Sequence, residues 1–320
     1  MKRLGIVLLV MLALLVVAFV TLRTPDTDPA AMRAKYGSAP SQFVDLGNGL
    51  TVHLRDEGPR DAPVLVLLHG SNADLYTWEP WAAALRSQYR VIRFDTVGHG
   101  LTGAAPDKNY SAAAMAALVG QVADKLGLDK FVLGGNSMGG AVAVRYALDH
   151  QDRLNGLLLV DAGGAPKPGG EPGNIGFKLA ATPGLNTVLE SITPRWLVEQ
   201  SLSQSVTNQA IVTPAAVDRY WELLRYPGNR EATLIRMTTA RRTFDPAKLA
   251  AIKVPTLVLW GEEDKLIGPG AARWYAGAIP GSTLHIYPGI GHLPQEEGAE
   301  ATLGDLKAWL MSPAVKGKSG

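Results

Sequence analysis

The sequence predicts an α/β protein: a mostly parallel sheet with helices on both faces and one helical insertion. Three observations carry that expectation. Short continuous apolar runs recur at Val64 to Leu68, Val91 to Phe94, Lys130 to Leu133, Gly156 to Val160, Thr256 to Leu259 and Thr283 to Ile286, as expected of parallel strands covered on both sides. Helix-period stretches such as Trp78 to Ser87, Ser111 to Leu126 and Pro269 to Ala278 lie between most of them. Finally, the run Phe131 to Leu133 meets a helical pattern through the glycine-lined turn Gly134-Gly135-Asn136-Ser137-Met138-Gly139-Gly140.

The 320 residues, 47% hydrophobic and 19% charged, can bury a full core. A formal charge of +2 with no basic run leaves no electrostatic footprint for nucleic acid. Cysteine is absent, which removes disulfides, thiolate metal sites and a cysteine nucleophile while leaving both reducing and oxidising compartments open.

Residues 1–35 form a segment of different composition. After Met1-Lys2-Arg3 comes an uncharged run of 19 residues, Leu4 to Leu22, which as a helix rises about 28 Å, enough for a hydrocarbon core. Ala18-Phe19-Val20 is a poor cleavage site, so the reading is a retained single-helix membrane anchor, with a cleaved signal and secretion as the alternative. Lys2 and Arg3 favour a cytoplasmic N-terminus and an extracytoplasmic catalytic domain, in the periplasm or at the cell surface, although Arg23, Arg33 and Lys35 blur the asymmetry. Thr24 to Pro29, with two prolines, reads as a linker.

Gln42 to Leu46 and Leu50 to Arg55 alternate around Gly47-Asn48-Gly49, an antiparallel hairpin at a sheet edge. Between Val160 and Thr256 no strand signal occurs. A structureless loop of that length is improbable in a compact domain, so residues 162–249 are expected to form a helical cap over the strand ends. It opens with Gly163 to Gly170 and continues through segments around Trp196, Tyr220 to Tyr226 and Thr233 to Arg242. The core is then 36–161 and 250–314, and Lys316 to Gly320 reads as a frayed tail.

A serine on a sharp strand-to-helix turn is exposed above the sheet, and the turn requires small neighbours, here Gly135 and Gly139. Ser137 is therefore the candidate nucleophile. It needs a histidine base and a carboxylate to orient that base. His292, in Pro288-Gly289-Ile290-Gly291-His292, follows the last strand signal at the carboxyl edge of the sheet, where sites of open α/β sheets collect. Asp264 follows the run Thr256 to Trp260, with Glu263 as its rival and Asp161, at another strand end, as a weaker one. The resulting order Ser, Asp, His is the order associated with this elbow. His285 reads as structural, His99 as a turn residue near the site, and His53 and His150 as surface positions. The oxyanion donors are the backbone N–H groups of Met138, at the helix start, and Ser71, after His69-Gly70. Asn72, Trp196, Trp221 and Tyr226, with Tyr220, are candidates to line the substrate pocket, although aromatics at helical spacing are more often plain core.

Taken together, His69-Gly70 with Trp78, Asp95 through Gly100, the elbow Gly135 to Gly139, Gly261 through Asp264 and Gly291-His292 resemble the α/β-hydrolase superfamily, and within it the capped esterase-like members, over nearly all of Ser41 to Leu310. The resemblance implies an eight-stranded, mostly parallel sheet, a helical cap after the sixth strand, and no metal or organic cofactor. Haloalkane dehalogenases and epoxide hydrolases share the cap but carry aspartate at the elbow, so Ser137 speaks against both. The implied activity is hydrolysis of carboxylic esters of small to medium, apolar substrates through an acyl-enzyme. The string Gly135 to Gly140 also looks like the elbow of hydrolases that split carbon-carbon bonds of ring-cleavage (meta-cleavage) products, but Ser71-Asn72-Ala73-Asp74 departs from the longer glycine-rich stretch usual in those enzymes. That activity stays as the alternative, beside a non-catalytic binding protein on the same scaffold.

Overall fold

The computed structural model describes residues 2–166, 175–182, 184–239 and 243–316. Lys167 to Gly170, at the expected opening of the insertion, residues 240–242 at the end of its last helix-like segment, and 317–320 lie outside them. The sheet has eight strands: β1 (Ser41–Asp45), β2 (Thr51–Glu57), β3 (Val64–Leu68), β4 (Arg90–Phe94), β5 (Phe131–Asn136), β6 (Leu154–Val160), β7 (Thr256–Gly261) and β8 (Thr283–Tyr287). Their order is β1-β2-β4-β3-β5-β6-β7-β8. The hairpin β1/β2 and the pair β2/β4 are antiparallel, and every later pairing is parallel.

Helices α1 (Lys2–Leu22) and α2 (Pro29–Tyr36) precede the sheet. Its flanking layers are α3 (Glu79–Leu85), α4 (Ala112–Lys125) and α5 (Met138–His150), and, after the insertion, α12 (Gly270–Ala278), α13 (Pro294–Glu297), α14 (Ala299–Leu310) and α15 (Pro313–Lys316). The insertion between β6 and β7 carries α6 (Ile175–Ala181), α7 (Leu185–Ser191), α8 (Arg195–Ser205), α9 (Pro214–Leu224), α10 (Asn229–Thr238) and α11 (Pro246–Leu249).

The continuous apolar strands work because successive side chains face opposite layers. In β3, Val66 and Leu68 pack with Met115 and Val119 of α4 and Val142 of α5. Leu65 and Leu67 point the other way, into Trp78, Trp81 and Leu306. A strand covered on both faces has no room for a polar residue without a partner, which is why β5 stays apolar until Asn136.

The linker Thr24 to Pro29 runs from α1 into α2 and is held against the insertion. Asp28 caps α2 by accepting from the Ala31 amide, with Pro29 at its first position. Residues 24–27 are bonded to the insertion: the Thr24 amide donates to the Ser191 carbonyl (2.9 Å), the Thr27 amide to the Arg225 carbonyl (2.9 Å), and Arg230 pairs with Asp26 (2.6 Å). Among the described residues no helix is long and apolar enough to cross a membrane. The side chains of α1 are described from Ile6 to Leu22, a stretch that rises about 26 Å against a hydrocarbon core of about 30 Å. The large apolar side chains in that stretch stand exposed, Leu9 at 70% and Val20 at 67%.

Candidate active site

Ser137 sits between the last residue of β5 and the first of α5 with φ 54° and ψ −115°, backbone geometry an L-residue rarely holds. Local packing enforces it. A Cβ on Gly135 would lie 2.2 Å from the Gly139 carbonyl carbon, and one on Gly139 would lie 2.3 Å from the Leu68 carbonyl oxygen. The two arms of the turn pass each other only because both positions are glycine. The Ser137 amide is held by the Val160 carbonyl at 3.0 Å, and its own carbonyl accepts from Gly163 at 2.8 Å.

His292 and Asp264 meet at the carboxyl edge as the sequence predicts. The His292 Nδ1 lies 2.7 Å from the Asp264 Oδ2, and both residues are buried. Asp264 Oδ1 accepts from the Leu266 amide at 2.8 Å and the Ile267 amide at 3.0 Å, so its carboxylate is fixed by three donors. Glu263, the rival, is exposed. Ser137 and His292 line one cavity together with Ser71 and Asn72. Among the described residues neither the Ser71 nor the Met138 amide donates to a protein acceptor, and the Ser71 hydroxyl lies 3.5 Å from the Met138 sulfur. Gly70 packs so tightly that a Cβ there would be 3.2 Å from Ser137 Cβ. Both amides are thus left unclaimed by protein acceptors among the described residues, as oxyanion donors must be.

The other histidines differ in place. His69 accepts the Thr96 amide at Nε2 (3.0 Å), so its Nδ1 proton goes to the Gly70 carbonyl at 2.7 Å. Burial pushes its pKa down, against the charge of Asp95; it is a neutral brace for the loop that carries Ser71. Burial, then Arg236, pushes His99 far down as well. His53, expected at the surface, is buried at 1% and bonded to Asp95 at 2.7 Å. It sits in β2, an interior strand of the sheet, where the hairpin pattern alone did not reveal that both faces are covered. His285 is half-exposed.

The aromatic candidates fall mostly elsewhere. Trp196 is 59% exposed, on the outer face of α8. Trp221 donates from its indole nitrogen to the Thr193 carbonyl at 2.7 Å and lies under Arg225. Tyr226 packs with Met32, Leu101 and Leu223. None of the three lines the cavity, whereas Tyr220 and Asn72 do. Helical spacing placed the aromatics on helices without saying which face meets the sheet. The apolar lining comes instead from Phe177 and from the aliphatic Leu197, Val198, Leu202, Leu234 and Leu293, among others. Asn72 has φ 60°, and its Oδ1 accepts from Thr233 (2.8 Å) and Arg236 (3.1 Å) of α10.

Two contributors were not read from the sequence. Asn136 ties the elbow to the His292 loop, and Ser205, at the end of α8, accepts the His292 amide at 2.8 Å. A polar residue closing an apolar strand was the available signal for Asn136; nothing local marks Ser205. Asp161, Asp264 and His292 bring three potential metal-ligand atoms within 4.8 Å. A cation there would have to displace the proton shared by His292 and Asp264 and compete with two backbone donors, so the donor set does not favour one.

A serine at positive φ where β5 meets α5, at the carboxyl edge of an eight-stranded sheet, defines an α/β-hydrolase. Residues 63–299 match the family model described as alpha/beta hydrolase fold, and the chain belongs to that family. It is a hydrolase. A curated relative, the 2-hydroxy-6-oxo-6-phenylhexa-2,4-dienoate hydrolase of Burkholderia cepacia, is 30% identical over 82% of this chain and 94% of that protein. Among solved structures, a bacterial membrane phospholipase A is 25% identical with TM-score 0.75, covering 99% of both chains. A thermophilic esterase from Thermogutta terrifontis is 28% identical with TM-score 0.69, over 85% of this chain and 98% of that one.

Proposed function

We propose that the protein is a serine hydrolase of carboxylic esters with an apolar acyl group, held at a lipid surface by α1. Ser137 attacks the ester carbonyl while His292 takes its proton, and Asp264 keeps the imidazole in the right tautomer and stabilises the imidazolium that forms. The Ser71 and Met138 amides stabilise the oxyanion. His292 returns the proton to the departing alcohol, then activates water, which cleaves the acyl-enzyme and releases the acid.

The observation that carries this reading is the cavity above Ser137, whose walls are largely apolar side chains, most of them from the insertion; such a lining suits an alkyl or acyl chain better than a polar substrate. The membrane phospholipase A supports it, because the likeness to that protein runs over the N-terminal segment as well. An apolar helix exposed all round, as α1 is, needs an apolar surrounding. Residues 24–27 then connect that surrounding to the rim of the cavity, since Arg230 and Thr193 both bond Thr24 and both line the cavity.

Carbon-carbon hydrolysis of a dienoate is the second reading. It is favoured by the 30% identical relative and by a buried cation, Arg236, bonded to Asn72 beside the site, which could hold a substrate carboxylate.

The test compares the full chain in detergent or vesicles with its Ser137→Ala variant on aryl esters of increasing acyl length, phospholipid vesicles and a ring-cleavage dienoate. Ester turnover that rises with acyl length and vanishes in the variant supports the first reading. Turnover of the dienoate alone replaces it with the second, and no turnover of any substrate points to a binding protein.

A further inference from the structure

Asp161 directly follows β6, with φ 45°, and is fully buried. Its Oδ1 accepts from the Gly261 amide at 3.1 Å. Its Oδ2, also buried, has no hydrogen-bond donor among the described residues. A carboxylate oxygen of Asp161, one of Asp264 and a ring nitrogen of His292 all lie within 4.8 Å of one another. Two buried carboxylates this close cannot both be charged without large repulsion, so they share a proton. The proton goes to the one with fewer donors. Asp264 has three, the amides of Leu266 and Ile267 and the His292 ring, whereas Asp161 has one.

We propose that Asp161 is a neutral carboxylic acid whose Oδ2 hydroxyl donates to the Asp264 carboxylate, making it a positioning residue for the Asp264–His292 pair. The kinetic part of this rests on the triad reading above; the protonation does not. Burial and then the charge of Asp264 push the Asp161 carboxyl well above the usual carboxylate range, and Glu297, the other acid facing it, acts in the same direction. By sharing the charge of Asp264, the hydroxyl limits how tightly that carboxylate holds a protonated His292, and it stops the carboxylate from turning away from the ring. A left-handed backbone at position 161 tolerates aspartate and asparagine better than other side chains.

Two variants test it. Asp161→Asn keeps an acceptor for Gly261, a donor for Asp264 and the backbone preference; it should keep turnover within about twofold and leave the pH profile of kcat/KM unmoved. Asp161→Ala removes the donor, and the acidic limb of kcat/KM should move up by about one pH unit. A fall in amplitude with no movement of that limb would mean a structural role only and overturn the positioning claim. A second measurement needs no activity. The native fold keeps a proton on Asp161 that the unfolded chain releases above about pH 4, so native stability falls with rising pH relative to a variant that cannot titrate there. In urea unfolding, Asp161→Asn should therefore gain on the native protein between pH 4 and pH 7. A constant difference across that range would show Asp161 ionised and sink the proposal, even if no substrate is ever turned over.

Discussion

Asn136 donates from its Nδ2 to the main-chain carbonyl of His292 at 3.1 Å and to that of Val160 at 3.2 Å. The residue before Ser137 thus fixes the backbone of the residue meant to deprotonate it, 156 positions away in sequence. Replacing Asn136 with alanine takes the side-chain donor from the His292 carbonyl, while the Val160 carbonyl keeps the Ser137 amide, a cost of about 1 to 3 kcal/mol for the one group so stranded. We expect a lower urea midpoint and a kcat that falls more than KM rises, because the loosened loop misplaces the base rather than the pocket. An unchanged kcat in a well-folded Asn136→Ala protein would remove this residue from the site.

The elbow predicts a sharp contrast among glycines. Gly139→Ala places a Cβ 2.3 Å from the Leu68 carbonyl oxygen, a backbone atom that cannot step aside, so no folded protein should be recovered. Gly120→Ala, inside α4, meets only the Tyr146 ring at 3.8 Å. There the change relieves helical glycine and should stabilise by about 0.5 to 1 kcal/mol. Thermal melts of the two variants beside the native protein read both effects.

That contrast also shows what the sequence could reveal. The elbow was legible because its chemistry is local: small residues, a strand and a helix must adjoin within ten positions. Asp264 and His292 were legible because each follows a strand signal, and strands of a parallel sheet deliver their carboxyl ends to one edge. β5, β6 and β7 run to Asn136, Val160 and Gly261, about three and two residues beyond the apolar runs at the first and last of these, since a ladder continues past the last apolar residue. The bonds from Ser205 to His292 and from Arg230 to Asp26 were not legible. They join segments whose mutual placement depends on how the insertion docks, and no period in the chain encodes that. For the same reason Trp196 faces solvent while Phe177, Tyr220 and a set of aliphatic residues line the cavity.

Arg219, on α9, reaches from the insertion into the core and pairs with Asp74 at 3.2 Å, while its neighbour Tyr220 donates to Glu296 at 3.0 Å. Asp74 belongs to the loop that carries Ser71, and Glu296 follows His292. One helix therefore braces both loops beside Ser137. Arg219→Met strands a carboxylate that is 2% exposed, which costs about 3 to 5 kcal/mol for a pair broken from one side. Besides the loss in urea unfolding, kcat should fall as the oxyanion loop loosens, whereas the Asp74→Asn/Arg219→Met double variant should recover part of the stability. No recovery in the double variant would mean that the pair carries no such coupling.

Arg93 in β4 is wholly buried and bonds Glu57 of β2 at 2.7 Å, with Arg86 on the other Glu57 oxygen at 2.7 Å. Burial alone would raise the Glu57 pKa, but the hydrogen bonds and charges of Arg93 and Arg86 outweigh it and hold the carboxyl below its ordinary value. The sign follows from linkage. The unfolded chain takes up a proton on Glu57 at a higher pH than the native fold does, so this stabilisation is present above about pH 4.5 and is lost as pH falls through the lower folded value. Asp56, buried and then charge-paired with Arg90 and Arg60, is shifted downward too and adds to the same loss. Glu57→Gln should cost about 1.5 to 3 kcal/mol at pH 7, because Arg93 loses one charge-assisted partner while keeping Glu79 at 2.5 Å, and much less at pH 3. Urea unfolding of native and variant proteins at both values measures the difference, and an equal cost at pH 3 and pH 7 would show that the ionised form of Glu57 contributes nothing to the fold.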